Sequence, residues 1–500
     1  MKKIILLLLV PLLNCYAQVN LTNKFFTPLE LAKYRILTSH EDIVGFLDAA
    51  SSLCNKIKLE FIGSSSEGRM IPAVKISTGE FGRDENKIKV FFFAQQHGDE
   101  PSGKEGTLML IRDITEGKLD YLFEKIDLII VPQMNPDGAE RNKRRNGMGL
   151  DLNRNHLILT APETQALHKL FNQYLPEATL DVHEYSPYSN DWIEYGALKN
   201  FDEQFGAVSN PNVSIEIKNY TRNQLFPFVE KYIMEKGFSF QEYIVEGPPD
   251  KGRMRHSTFD INDGRQSFGS LNTFSMILEG KNGRDSIDNI RRRAEGQYTA
   301  MKGILEFIFN HKVEIKKFVA DGRRQLINSI PGEKVAIQME HMSEGTTTNI
   351  RLLSLYSNAD TIVTVENYTP VVKPLLEVEK PVGYLIPKAD ANLTGWAERQ
   401  NLQIKDYTPA EKFKIIQYFI TTIDSIDFEG DMTINPSVEL KEVTDEINPF
   451  DFYFIPMNQL HNNFIVQALE PQSEIGLATY KDFEYLVRKN KSYPILKVIE

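Results

Sequence analysis

Four short apolar runs, each leading to a residue able to do chemistry, constrain this chain more than any other feature. Lys87-Ile88-Lys89-Val90-Phe91-Phe92-Phe93-Ala94 is followed three positions on by His97, and Ile126-Asp127-Leu128-Ile129-Ile130-Val131-Pro132 leads to Asn135. Ala178 to Val182 stops at His183, and Phe274-Ser275-Met276-Ile277-Leu278 stops at Glu279. Short, mainly apolar runs of this kind are the pattern of strands buried on both faces. Helix-compatible stretches alternate with them. Pro101 to Thr115 opens on a proline, whose missing N–H costs little there, and Pro162 to Tyr174 carries Leu167, Leu170 and Phe171 at helical spacing. The alternation predicts an α/β fold, with a mostly parallel, mixed central sheet flanked by helices. In such sheets ligands gather at the carboxyl ends of the strands, so four reactive positions converge on one sheet edge.

Five hundred residues exceed what one core usually supports. A helical pattern runs from Arg284 to about Lys317, and Pro331-Gly332 marks a joint beyond which Lys334 to Val372 is rich in Thr, Val and Ile with alternation. The chain therefore reads as a leader over 1–17, an α/β region over 18–318 and a β-rich C-terminal module over 319–500. The last is interrupted by a helical stretch from Pro409 to Ile423 and has no catalytic pattern of its own.

Lys2 and Lys3, the apolar run Ile4 to Leu13 and the small residues of Cys15-Tyr16-Ala17 form the three-part layout of a secretory signal peptide. Cleavage after Ala17 predicts a periplasmic or extracellular protein. Lipid anchoring at Cys15 is the rival, disfavoured by Asn14. Removal of the leader leaves Cys54 alone, which excludes an internal disulfide and a thiolate metal site. No other apolar stretch is long enough to span a membrane, and a net charge of −11 argues against nucleic acid or an anionic membrane surface as partner. Oligomeric state is not legible.

His97-Gly98-Asp99-Glu100 places an imidazole and a carboxylate three positions apart in a turn punctuated by glycine and proline. Both are zinc ligands, and a catalytic zinc keeps one coordination position for water. Alone the spacing is a weak signal; a third ligand must come from elsewhere, and Asp181-Val182-His183-Glu184 at a strand end is the natural supplier. Neither His-Glu-x-x-His nor His-x-x-Glu-His occurs in the chain.

Together these segments resemble the M14 zinc carboxypeptidases (the carboxypeptidase A-like family), and the match reaches well past the ligands. Asn135-Pro136-Asp137-Gly138 is similar to the family's Asn-Pro-Asp-Gly turn. Arg144-Arg145-Asn146-Gly147-Met148-Gly149-Leu150-Asp151-Leu152-Asn153-Arg154-Asn155 resembles its Arg-x-Asn-x-x-Gly-x-Asp-Leu-Asn-Arg-Asn block, and Pro162-Glu163-Thr164 the helix that follows. Segments such as Pro381 to Pro387 and Leu469 to Glu474 look similar to exported bacterial members with long C-terminal extensions.

The resemblance implies one Zn²⁺ held by His97, Glu100 and His183, with Asp151 orienting the first imidazole. It implies Glu279 as the base that activates the zinc's water, and Arg144 as the group that stabilises the carbonyl oxyanion, a role open to the adjacent Arg145 if the loop is shifted by one. Asn153 and Arg154 would bind the terminal carboxylate of a peptide, since a guanidinium fork suits a carboxylate. The implied activity is zinc-dependent hydrolysis at the C-terminal end of peptides. Two rivals are an M14-like amidase, deacylase or cell-wall peptide hydrolase, and a binding module whose catalytic site has decayed. In one respect the chain departs from the family: Arg255 to Phe274 contains no tyrosine to close over substrate, which leaves Tyr243 as the neighbouring candidate. Arg265, in the same stretch, offers a charge for acidic side chains. His168 lies within a predicted helix, His40, His256, His311, His341 and His461 lack partners at ligand spacing, and His156 sits just past the Asn-Arg-Asn block.

Overall fold

The computed structural model describes residues 24–428, 431–444 and 447–500. The expected leader at 1–17 lies outside the described residues. Among them, no helix is long and apolar enough to cross a membrane.

An eight-stranded mixed sheet organises the first three-fifths of the chain. In spatial order its strands are Ile57–Ser64, Met70–Ile76, Ile126–Val131, Ile88–Ala94, Ala178–Tyr185, Phe274–Lys281, Glu203–Ala207 and Phe240–Glu242. The four expected strands are the four in the middle, and they run parallel to one another. Antiparallel strands flank them on both sides. Both faces are covered, as the apolar runs require. From the strand Ile88–Ala94, Val90, Phe92 and Ala94 enter one core with Leu108, Ile111 and Ile304, while Phe91 and Phe93 enter another with Leu167, Phe171 and Phe268. Each such fully buried side chain contributes about 1.5–3 kcal/mol relative to exposure. Helices Ser102–Thr115 and Ile290–Asn310 back the first face and Pro162–Tyr174 the second.

The C-terminal part holds a six-stranded sheet of Lys405–Asp406, Phe452–Pro456, Gly383–Pro387, Lys491–Ile499, Lys414–Phe428 and Asp431–Glu442. One expectation fails here: Pro409 to Ile423 is not helical. Lys414–Phe428 is a long strand paired with both Asp431–Glu442 and Lys491–Ile499. Its β-branched and aromatic residues, from Ile415 through Tyr418 and Phe419 to Thr422 and Ile423, suit a pleated surface better than a helix.

This part packs closely on the α/β region. Leu157, Ile158, Phe259 and Ile261 share a core with Trp396, Ile465 and Leu477. The indole of Trp396 donates to the Leu157 carbonyl at 2.9 Å, and Gln400 Nε2 to the carbonyls of His156 and Leu157. Thr348–Ser354 extends Ala197–Lys199 into a further small sheet.

Candidate active site

Three segments from three neighbouring strand ends build the site. The turn after Ile88–Ala94 is tied to the 135–145 loop by Asn135, whose Nδ2 donates to the carbonyls of Gln96 and Arg144 and whose Oδ1 accepts from the Gly138 amide. Two glycines permit this closeness. A Cβ on Gly98 would lie 2.1 Å from the Gly138 carbonyl carbon, so the Asn-Pro-Asp-Gly turn and the His97 turn interlock backbone to backbone.

That packing brings His97, Glu100 and His183 together, all three buried, with ligand atoms within 4.8 Å of one another. Nδ1 of His97 stands 2.7 Å from Glu100 Oε1 and Nδ1 of His183 stands 2.9 Å from Oε2, while the two Nδ1 atoms face each other at 3.2 Å. The opposite ring nitrogens face carboxylates. His97 Nε2 is 3.1 Å from Asp151 Oδ1, and His183 Nε2 is 2.8 Å from Asp181 Oδ1. An ionised carboxylate only accepts, so with a cation held between the two Nδ1 atoms and Glu100 each ring would carry its proton on Nε2, donated to the carboxylate behind it. Two imidazole nitrogens and a carboxylate thus converge on one point. Two nitrogens and an oxygen are a zinc donor set, and these residues fit the metal.

The electrostatics agree. Burial would raise Glu100, but His97 and His183 hold it well below the usual carboxylate range. Burial would lower His183, but Asp181 and Glu100 hold it well above the ordinary imidazole value. Glu100 is further held by the Glu184 amide, which donates to Oε2 at 3.1 Å.

Asp151 does double service: as Oδ1 meets His97, Oδ2 accepts from Arg144 Nε at 2.9 Å. The Arg144 guanidinium thereby reaches within 3.2 Å of His97 Nδ1 and 3.6 Å of Glu100. Arg145 turns to the Gly149 carbonyl instead and does not join the cluster. Arg154 donates from Nη1 to the Asn153 carbonyl, and Asn153 Oδ1 accepts from the Gly264 amide.

Glu279 is the Cα partner of His183 in the register of two adjacent parallel strands. Partners in a parallel ladder project from the same face, so its carboxyl shares the sheet edge with the three candidate metal ligands. Only 8% of the residue is exposed. Burial pushes its carboxyl up to about 7 against the pull of His183, with Glu100 adding to the rise. On the far side Gln204 is its partner, and Gln204 Oε1 accepts from the Ile244 amide.

One expectation of the cleft is not met. Arg265 is fully buried and paired with Asp263 at 2.8 Å, so its charge is neutralised within the wall and cannot be offered to an acidic side chain. The Tyr243 ring lies over that guanidinium, 5.8 Å from it. Two further residues escape sequence reasoning. Asp181, behind His183, could have been found from strand alternation, which puts 181 and 183 on one face. Gln96, which donates to Asp181 at 2.8 Å and to Asn153 at 3.2 Å, carries no signal beyond its neighbour His97.

Residues 43–257 match the family described as zinc carboxypeptidase, Peptidase_M14. "Carboxypeptidase 2" of Trichophyton rubrum is 24% identical over 454 residues, covering 87% of this chain and 81% of that protein. "Carboxypeptidase SOL1" of Arabidopsis thaliana is 32% identical over 145 residues, 26% of this chain and 29% of that one. Among solved structures, a metallo-carboxypeptidase from Pseudomonas aeruginosa aligns at 20% identity with a TM-score of 0.42, over 56% of this chain and 71% of that one.

Proposed function

This chain is a peptidase that carries a zinc carboxypeptidase domain of the M14 family, and from that premise we propose that it removes single residues from the free C-terminal end of peptides. The observation that carries the reading is the register pairing of Glu279 with His183, beside a donor set suited to zinc. Zinc held by His97, Glu100 and His183 would supply a Lewis acid for the scissile carbonyl and acidify its water.

The chain's own groups do the rest. Glu279, buried and near neutrality in proton affinity, takes the proton of the attacking water and returns it to the leaving amine. Arg144, anchored by Asp151, faces the developing oxyanion. Asn153 and Arg154 bind the terminal carboxylate, which restricts cleavage to the last peptide bond. We also read the chain as exported after cleavage near Ala17, and as two cooperating parts divided near residue 318, within the helix Lys312–Ile327.

The test is incubation of the zinc-loaded protein with a peptide library, with products read by mass spectrometry, alongside Glu279→Gln. Stepwise loss of single C-terminal residues, abolished by the substitution, is the expected result. Internal cuts, or hydrolysis of small N-acyl amino acids alone, would contradict it.

A further inference from the structure

A buried line of side chains runs from the metal cluster away from the cleft. Gln96 Nε2 lies 2.8 Å from Asp181 Oδ2 and 3.2 Å from Asn153 Oδ1. Gln96 Oε1 lies 2.8 Å from His156 Nε2, and His156 Nδ1 lies 2.9 Å from His168 Nε2. All five residues are buried. The proton positions follow from one fact: the Asp181 carboxylate, which takes the His183 proton, can only accept. Gln96 must therefore turn its NH₂ toward Asp181 and its oxygen toward His156. His156 must then donate from Nε2 and accept at Nδ1, and His168 must donate from its own Nε2. Each imidazole needs to be neutral for this pattern. Burial lowers both below the ordinary value, His156 to about 4.

The second proton of the Gln96 amide goes to Asn153. The same Asn153 oxygen accepts from the Gly264 amide at 2.8 Å. A Cβ at Gly264 would come 2.8 Å from Asp181 Oδ2 and 3.1 Å from Gln96 Nε2, so a glycine is required for this backbone to approach. A carboxamide whose oxygen is held by two donors presents its N–H groups on the other side.

We propose that Gln96, locked by His156 and His168, is a positioning residue that turns the Asn153 N–H groups toward the substrate's terminal carboxylate while bracing Asp181 behind His183. The inference rests on the reading of Asn153 as part of the carboxylate clamp. It joins metal ligation and recognition of the chain end in one buried network.

The test uses two peptides identical except at the terminus, one a free carboxylate and one a primary amide, with kcat and KM measured on the zinc-loaded full chain. Wild type is expected to prefer the free carboxylate. Gln96→Glu keeps the shape at 96 but replaces the amide that donates to Asp181 and Asn153; at saturating zinc it should lower that preference about tenfold or more, through KM, and weaken zinc affinity through Asp181. His156→Phe should act in the same direction, and His156→Gln, whose amide can still donate to Gln96, should restore the preference. A Gln96→Glu enzyme that retains the full wild-type preference overturns the inference, whether or not His156→Phe folds. Lost zinc with an intact preference overturns it too, because it assigns Gln96 a purely structural role. If wild type shows no preference, the clamp reading falls and the inference falls with it.

Discussion

Glu279 and His183 are paired across two adjacent parallel strands, which sets a buried carboxyl beside an imidazole whose Nδ1 points at Glu100. Strand register, a property of the backbone ladder, thus brings together two residues nearly a hundred positions apart. From this pairing the first prediction follows. Glu279→Gln should leave zinc binding intact and lower kcat by about 10²–10⁴, the range general acid–base groups contribute. Metal analysis with steady-state kinetics checks both halves. A variant with more than a tenth of wild-type kcat would remove Glu279 from the chemistry.

The proton affinity of Glu279 gives a signed pH dependence. The base works ionised, so kcat/KM should rise with pH to a plateau and fall roughly tenfold per unit on the acid side. The metal-free carboxyl titrates near 7, and bound zinc moves the limb lower. Stability runs the other way. An acid whose value is raised from 4.5 in the unfolded chain to about 7 in the folded one costs stability progressively as pH rises through that window. Metal-free Glu279→Gln should therefore melt above wild type at pH 8, with the gap closing as pH falls toward 4.5. A gap that widens on acidification would contradict the assignment.

Asp151 holds His97 with one oxygen and Arg144 with the other. Asp151→Asn should weaken zinc binding about 10–100-fold, as loss of a ligand's hydrogen-bond partner usually does. Competition against a chelator of known affinity measures it. Unchanged affinity would mean that His97 is oriented by other contacts.

The C-terminal part is expected to be required for the site, through the loop that follows Asn153. Trp396 is fully buried and donates to Leu157, three residues past Arg154. Trp396→Ala should cost about 3–5 kcal/mol in denaturant unfolding. A chain ending at residue 328 would expose Leu157, Ile158, Phe259 and Ile261 and should fail to give a soluble monomer. A truncated chain that folds and binds zinc would show that the two parts are independent.

What the sequence makes legible is what local pattern controls. The parallel centre of the sheet follows from apolar runs such as Val90 to Phe93, and the candidate metal cluster from a three-residue spacing and from residues near strand ends. Asp181 was within reach, because a period of two places it on the face of His183. The Gln96–His156–His168 line was not, since it joins segments about sixty residues apart through buried polar contacts that no periodicity records. The β-branched run around Ile415 to Ile423 shows the opposite error: an apolar stretch of ambiguous period was decided by pairing with strands on both sides. The neutralisation of Arg265 by Asp263 depends likewise on burial, which a loop sequence does not reveal.

The most direct test of the account is zinc stoichiometry in the purified full chain, compared with His183→Ala. One zinc per wild-type chain, with loss of about tenfold or more in affinity when His183 is removed, is the predicted result. Zinc bound equally well by the variant, or no zinc bound by wild type, would contradict it.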